Sequence, residues 1–489
     1  MVKSMLTAAI AASVLAACTV GPDYVRPDPP QVDRFVRAQA ANDAVPEVDA
    51  EFWRDFGDAR LERLVEDALS ANHDLRIAYA RYQQANALLR GAKYDHLPTL
   101  TANAEATETL ASSDQLPGVD RAGRDQDAYS AGFGAVWELD FFGRIRRGVE
   151  AQRAEAQASA ADLAAMQVAV VGELARSYFQ LRGWQEQLRV ASENADNQAR
   201  TLQLLEVRRD AGFATPFDVD RSRSQAETTR SRIPALQAQI AAATHRIAVL
   251  TGRTPESLVA ELEAPADLPA LPEQIAAGAP AELLRRRPDV AAAEQRLHAA
   301  TARIGVATAD LFPRFTLGGL IGTQALDAGA LFERDSETRM LSLGIDGSFL
   351  NVGRVRARIA AANAETAADL ANYQKTVLLA LEETENALTR VSRSGEEATH
   401  LEQAAAASAR AASVAKLRFD NGAIDVLELL DAEGTRLQAE DAFAQGRVRN
   451  ALAVVSLYQS LAGGWLRYLP EEAAATRDRD VPLRIDPST

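Results

Sequence analysis

The sequence predicts a mixed α/β membrane protein built from two internal repeats. Three observations lead there: anchors that recur in the same order in both halves, short strands with one apolar face, and proline-free helical runs of about sixty residues. The halves align at an offset of about 210 to 215 residues. Asp74 and Pro98 are matched by Asp289 and Pro313, and Tyr94-Asp95-His96-Leu97-Pro98-Thr99 by Ala309-Asp310-Leu311-Phe312-Pro313-Arg314. Phe142-Gly143-Arg144 is matched by Val352-Gly353-Arg354, Gly212 by Gly422, and Leu250-Thr251-Gly252 by Leu461-Ala462-Gly463. Each half therefore reads helix, strand, loop, strand, long helix, tight turn, long helix.

Composition narrows the classes. The 489 residues are 47% hydrophobic and 25% charged, with one cysteine and a formal net charge of -15. A disulfide scaffold, a cysteine-based zinc site and a disordered chain are excluded. No basic excess exists to neutralise nucleic-acid phosphates.

At the N-terminus, Lys3 precedes an apolar run from Leu6 to Ala17, shorter than the ~20 residues a spanning helix needs. It ends in Leu15-Ala16-Ala17-Cys18, so the only cysteine stands where a lipoprotein signal peptidase would cut, leaving Cys18 to carry a diacylglycerol. A plain secretory signal with a stray cysteine is the alternative. Thr19 follows in place of the aspartate that resemblance to lipoproteins ties to inner-membrane retention, so the outer membrane is expected. No later stretch approaches 18 unbroken apolar residues, and no transmembrane helix is expected.

The strands come next. Tyr129, Ala131, Phe133, Ala135, Trp137 and Leu139 alternate with Ser130, Gly132, Gly134, Glu138 and Asp140, Val136 being the exception. The second half repeats the pattern with Leu341, Leu343, Ile345 and Phe349 against Ser342, Gly344, Asp346 and Ser348. Partner strands precede each, at Thr99–Thr109 and Phe315–Thr323. About ten residues suffice to cross a bilayer at a tilt, although a half-buried soluble sheet reads the same way. A lipid-facing sheet has to close on itself, and known barrels start at about eight strands. Four strands per chain would then require two or three chains.

The long helices follow. Gly148 to Gly212 and Arg354 to Asn421 lack proline and repeat apolar or small residues at spacings of three, four or seven. Sixty helical residues would extend on the order of 90 Å, a rod that a structural coiled coil would also produce. Each reverses at Gly212 or Gly422 and returns as Val219–Leu250 or Val426–Leu461, with Pro234 expected to kink the first return helix.

The lipid signal, the repeat and a series of ordered motifs resemble the TolC-type outer-membrane factors, in the lipidated branch of OprM- and NodT-like channels. The motifs are Gly21-Pro22-Asp23-Tyr24-Val25-Arg26-Pro27, Phe52-Trp53 with Phe56, Asp58, Leu61 and Leu64, then Ala68-Leu69 with Asn72 and Asp74-Leu75, and Leu284-Arg285-Arg286-Arg287-Pro288-Asp289-Val290. The resemblance implies a homotrimer whose strands form one twelve-stranded barrel, continued by a long α-helical barrel. It implies a passive conduit docked on a periplasmic adaptor and an inner-membrane pump of the RND type. It places a periplasmic gate at Arg418, Leu427 and Asp431, and adaptor docking at turns carrying Gly212, Phe213 and Asp218 and Gly422 and Asp425. Ordinary charged or apolar positions near a helix start are the alternative for the gate, and Pro216 stiffens the first turn.

The implied organisation is a lipoprotein signal peptide at 1–17, a lipid-anchored segment with part of the equatorial region at 18–70, and repeats at 71–255 and 286–465. A connector at 256–285 separates them, and a tail fills 466–489. No catalytic set is legible. His73, His96, His245, His298 and His400 are dispersed, and neither a nucleophile elbow nor a phosphate loop occurs. Neither metal nor cofactor is expected beyond the covalent lipid on Cys18. The competing reading is a lipid-anchored periplasmic coiled coil without a pore.

Overall fold

The computed structural model describes residues 19–28, 30, 32, 34–36, 51–272, 275 and 279–462. Cys18, the signal peptide 1–17 and the tail 466–489 lie outside them. In chain order the main elements are α1 (Ala59–Ala71), α2 (His73–Tyr94), β1 (Thr99–Leu110), β2 (Asp125–Leu139), α3 (Arg144–Asp210) and α4 (Pro216–Leu250). After them come α5 (Pro280–Arg286), α6 (Pro288–Ala309), β3 (Arg314–Ala325), β4 (Glu337–Asp346), α7 (Val352–Asp420) and α8 (Val426–Ser460).

The repeat is visible element by element. Helices α2 and α6 each have 22 residues, β1 and β3 each 12, α4 and α8 each 35, and α3 and α7 have 67 and 69. Contacts divide the chain into two units, one of Met1–Asp28, Arg81–Ala160 and Ala292–Gln374, the other of Pro29–Ala80, Ala161–Ala291 and Lys375–Thr489.

The first unit holds one four-stranded antiparallel sheet in the order β1-β2-β3-β4. Its register puts Ala102, Phe133 and Ile321 in one row and Trp137, Leu317 and Leu343 in another, all on one face. Thr101, Gly134 and Leu320 lie on the other face, as do Glu138 and Thr316. Two strand expectations need correction. Phe349 lies not on β4 but in a short 3₁₀ turn at Ser348–Leu350, and β4 begins at Glu337, ahead of its apolar run.

The second unit is organised by a core in which α1 packs on α3, α4 and α8. The Phe52-Trp53 motif forms a 3₁₀ turn whose Phe52 ring stacks on Tyr458 at 4.7 Å. Asp58 caps α1 by accepting from the amides of Arg60 and Leu61, and its other oxygen accepts from the Tyr178 hydroxyl at 2.7 Å. Asn72 performs two tasks: its Oδ1 accepts from the amides of Asp74 and Leu75, and its Nδ2 donates to the Leu250 carbonyl at the end of α4. In the Arg-Arg-Arg-Pro-Asp motif, buried Arg287 donates to Asp289, Glu383 and the Ser460 carbonyl, tying the last turn of α8. These motifs are therefore joints that fix where the long helices end.

Helix α4 is continuous from Pro216 to Leu250, with Pro234, the expected kink position, inside it. By length and composition alone α3 could cross a membrane, against the expectation of no such helix. Its Val170, Val171, Leu174 and Leu181 side chains are instead buried in the core of the second unit.

Candidate channel wall and hairpin turns

The sheet supplies the first functional feature, a wall with unlike faces. On the apolar face Phe133 is 66% exposed and Leu343 66%, with Ile321, Leu341 and Ile345 comparably bare. A run of ten steps from Tyr129 to Leu139 spans roughly 34 Å along the strand, or about 25 Å in height at a barrel's tilt, the height of a lipid-facing band. Among the described residues β1 and β4 have one strand neighbour each, which leaves two edges of the sheet without a strand partner there.

One end of this wall is aromatic. Phe141 meets Phe315 edge-on at 5.3 Å, Phe142 stacks on Phe312 at 4.5 Å, and the Trp137 indole donates to the His96 carbonyl at 3.0 Å. The segment after Cys18 is fastened at the same level. The Val20 amide donates to the Phe142 carbonyl at 3.2 Å, Arg147 pairs with Asp23 at 2.6 Å, and Tyr24 stacks on His298 at 4.4 Å. The Gly-Pro-Asp-Tyr motif is thus a strap fastened at the aromatic end of the sheet.

The second feature is the pair of reversals in the second unit. At each, the outgoing helix ends in a Schellman motif. Phe213 donates to the Arg208 carbonyl and Gly212 to that of Arg209, while Ala423 donates to Arg418 and Gly422 to Phe419. Gly212 and Gly422 adopt φ of 80° and 71°, the left-handed region that a side chain would strain. The returning helices are capped in turn. Thr215 and Asp218 form a reciprocal capping box with Pro216 at the first helical position, and Asp425 accepts from the Glu428 amide at 3.0 Å. Hydrogen bonds from Thr215 hold the Asp218 carboxyl below its ordinary pKa.

A cleft of about 510 Å³ lies between the turns, lined among others by Phe213, Phe217, Arg221, Phe419, Leu427 and Leu430. Phe213 is 82% exposed, and the Arg208 guanidinium sits 4.4 Å over the Phe419 ring. Of the three expected gate residues, Leu427 is 45% exposed and lines this cleft, whereas Arg418 and Asp431 do not. Both of those side chains are exposed. The Arg418 and Asp431 carbonyls accept local bonds from Ala423 and Thr435.

Sequence reasoning missed the capping roles and Arg208, Phe217, Phe419 and Leu430. The Thr-Pro-x-Asp spacing of the first cap was a readable signal; the pairing of Arg208 with Phe419 links the two repeats and had none. Replacing Asp425 with alanine is expected to cost about 1 kcal/mol locally, seen as faster amide exchange in the first turn of α8. Unchanged exchange there would show that the cap does not hold the turn.

Among the described residues no group of three or more histidine, cysteine, aspartate or glutamate side chains is placed to hold a metal ion. What these features define is a candidate channel wall in the first unit and a pair of helical hairpins in the second. The model of the outer membrane efflux protein family matches residues 64–253 and 279–463, and the chain belongs to that family. It is 30% identical over 462 residues to the outer membrane protein OprJ of Pseudomonas aeruginosa, covering 94% of this chain and 96% of the relative. It is 32% identical over 457 residues to the pyoverdine export outer membrane protein OpmQ of Pseudomonas putida, covering 93% and 96%. The solved structure of the outer-membrane channel OprN superposes with a TM-score of 0.85 at 41% identity, covering 92% of this chain and 100% of that one. The fold is that of the TolC-type channels and the function is that of an efflux channel; nothing favours the coiled coil without a pore.

Proposed function

We propose that three copies of this chain assemble into the outer-membrane conduit of a tripartite efflux system, docking through their hairpin turns on a periplasmic adaptor and an inner-membrane pump of the RND type. The observation that supports this best is the sheet with one apolar face and two unpaired edges. In hydrocarbon those edges require closure. Twelve strands from three chains achieve it, with the apolar face to lipid and the polar face to the lumen.

Cys18 carries the covalent lipid in this reading, and the strap that follows it is fastened at the aromatic end of the sheet, where a membrane interface favours such rings. The turns bearing Gly212, Phe213, Asp218, Gly422 and Asp425 present the cleft to the adaptor. Arg418, Leu427 and Asp431 narrow the periplasmic end until docking opens it. The chain itself performs no catalysis, and cargo is chosen by the pump.

Native mass spectrometry of protein extracted in mild detergent tests the assembly. A detergent-retaining, heat-sensitive trimer is expected. A monomer or dimer that leaves the membrane without a detergent belt would reject the conduit.

A further inference from the structure

Helices α3 and α8 lie side by side in the second unit, and their interface changes character along its length. Towards the C-terminal end of α8 the fit is glycine-tight: a Cβ on Gly172 would fall 1.7 Å from Gln459 Nε2, and one on Gly183 2.1 Å from Val448 Cγ2. Towards the turns the interface becomes polar. Asn194, Gln198 and Thr201 of α3 are buried. Arg436 of α8 donates to Asn194 Oδ1 at 2.8 Å, and Asn194 Nδ2 donates to Glu440 Oε2 at 3.2 Å.

Pairing in this stretch is incomplete. Thr201 Oγ1 donates to Glu433 Oε1 at 3.5 Å, the far limit of a hydrogen bond. Glu433 Oε2, Gln198 Oε1 and Arg436 Nε are buried without a hydrogen-bond partner among the described residues, although Arg436 Nε lies 3.8 Å from Glu440 Oε1. Two of these three orphans are acceptors, and an ionised Glu433 can only accept. One proton on its carboxyl would turn an orphaned acceptor into a donor, in an interface where Gln198, three residues before Thr201 on α3, is buried with an acceptor that makes no hydrogen bond among the described residues. The groups facing Glu433 are the neutral Thr201 of α3 and two cations, Lys416 of α7 and Arg436 of α8. Burial outweighs the pull of both cations and raises its pKa.

We propose that Glu433 is a proton-operated latch on the turn-proximal half of α8. Neutral, it stays seated against Thr201 and holds α8 on α3; ionised, it leaves the interface and frees α8 beyond the glycine-tight contacts. The proposal rests on the channel reading above, with its gate at Asp431 two residues away, and adds control by pH. A carboxyl whose pKa is raised by packing stabilises the packed state below its free value of about 4.3, and that contribution is lost as pH rises through the raised value. Acid therefore holds the gate shut and higher pH loosens it.

The test is open probability in planar bilayers from about pH 4 to pH 8, using the full-length channel and variants confirmed as trimers by native mass. The wild type is expected to open more as pH rises, by at most tenfold per unit for each proton released. Glu433→Gln, permanently neutral, should stay low and flat, and Glu433→Ala should stay high and flat. If a conducting wild type is flat with pH, or if its slope survives in Glu433→Gln, the latch is wrong while the channel reading stands. A trimeric wild type that never conducts, with an Arg418→Ala/Asp431→Ala trimer equally silent, would overturn the channel reading and the latch with it.

Discussion

Replacing Phe133 with arginine should abolish recovery of the protein as an outer-membrane trimer. Phe133 lies in a row with Ala102 and Ile321 on the apolar face of the sheet, well inside the band that runs from Tyr129 to Leu139. An arginine at the midplane of a lipid-facing strand costs about 2–4 kcal/mol, and three copies would cost roughly 6–12 kcal/mol in one assembly. That is comparable to the whole stability of an ordinary domain, about 5–15 kcal/mol. Leu343→Arg, one strand pair away on the same face, should behave alike. The matched control is Thr101→Arg: Thr101 opposes Gly134 on the other face, and that side would meet water. Trimer yield after outer-membrane fractionation reads the result. Normal yield from Phe133→Arg would mean that this face does not meet lipid.

The contrast between Phe133 and Thr101 was legible because a strand's period of two assigns every residue to a face once a single register is known. The repeat was legible for a similar reason, since helices of equal length in the same order leave their prolines and glycines at matching positions. The outer end of β4 was harder. Glu337 and Arg339 fall on the same face as Leu341 and Leu343, so the alternation breaks off before the hydrogen bonding does. Phe349 erred in the other direction, because an apolar side chain in phase with a strand says nothing of whether the backbone still pairs. The strap, the Arg287 joint and the polar interface of α3 with α8 were invisible for a different reason. Thr201 and Glu433 stand 232 residues apart, and no local pattern links them. Residues whose partners are close in sequence, such as Thr215 and Asp218, could have been found from spacing alone.

Double replacement of Arg418 and Asp431 by alanine should make the resting channel leak. Neither side chain is needed for the hairpin itself, because the turn is closed through the Arg418 carbonyl and the Asp431 carbonyl serves Thr435. Alanine also favours a helix, and both residues are helical. The change should therefore leave folding intact and act, in the proposed trimer, on contacts of these exposed side chains with another protomer. An exposed ion pair contributes about 0.2–1 kcal/mol, so three equivalent pairs around one axis would contribute roughly 1–3 kcal/mol to the closed state. Losing them should raise the open-to-closed ratio by about five- to 150-fold, with each single replacement falling between that value and the wild type. Leu427→Ala is expected to add to the leak by widening an apolar ring, while leaving its salt dependence unchanged, since no charge is removed. Single-channel conductance reads the effect directly, and heightened antibiotic sensitivity of cells carrying the variant reads it independently. Wild-type values in both assays would move the constriction away from Arg418 and Asp431, to another level of the returning helices.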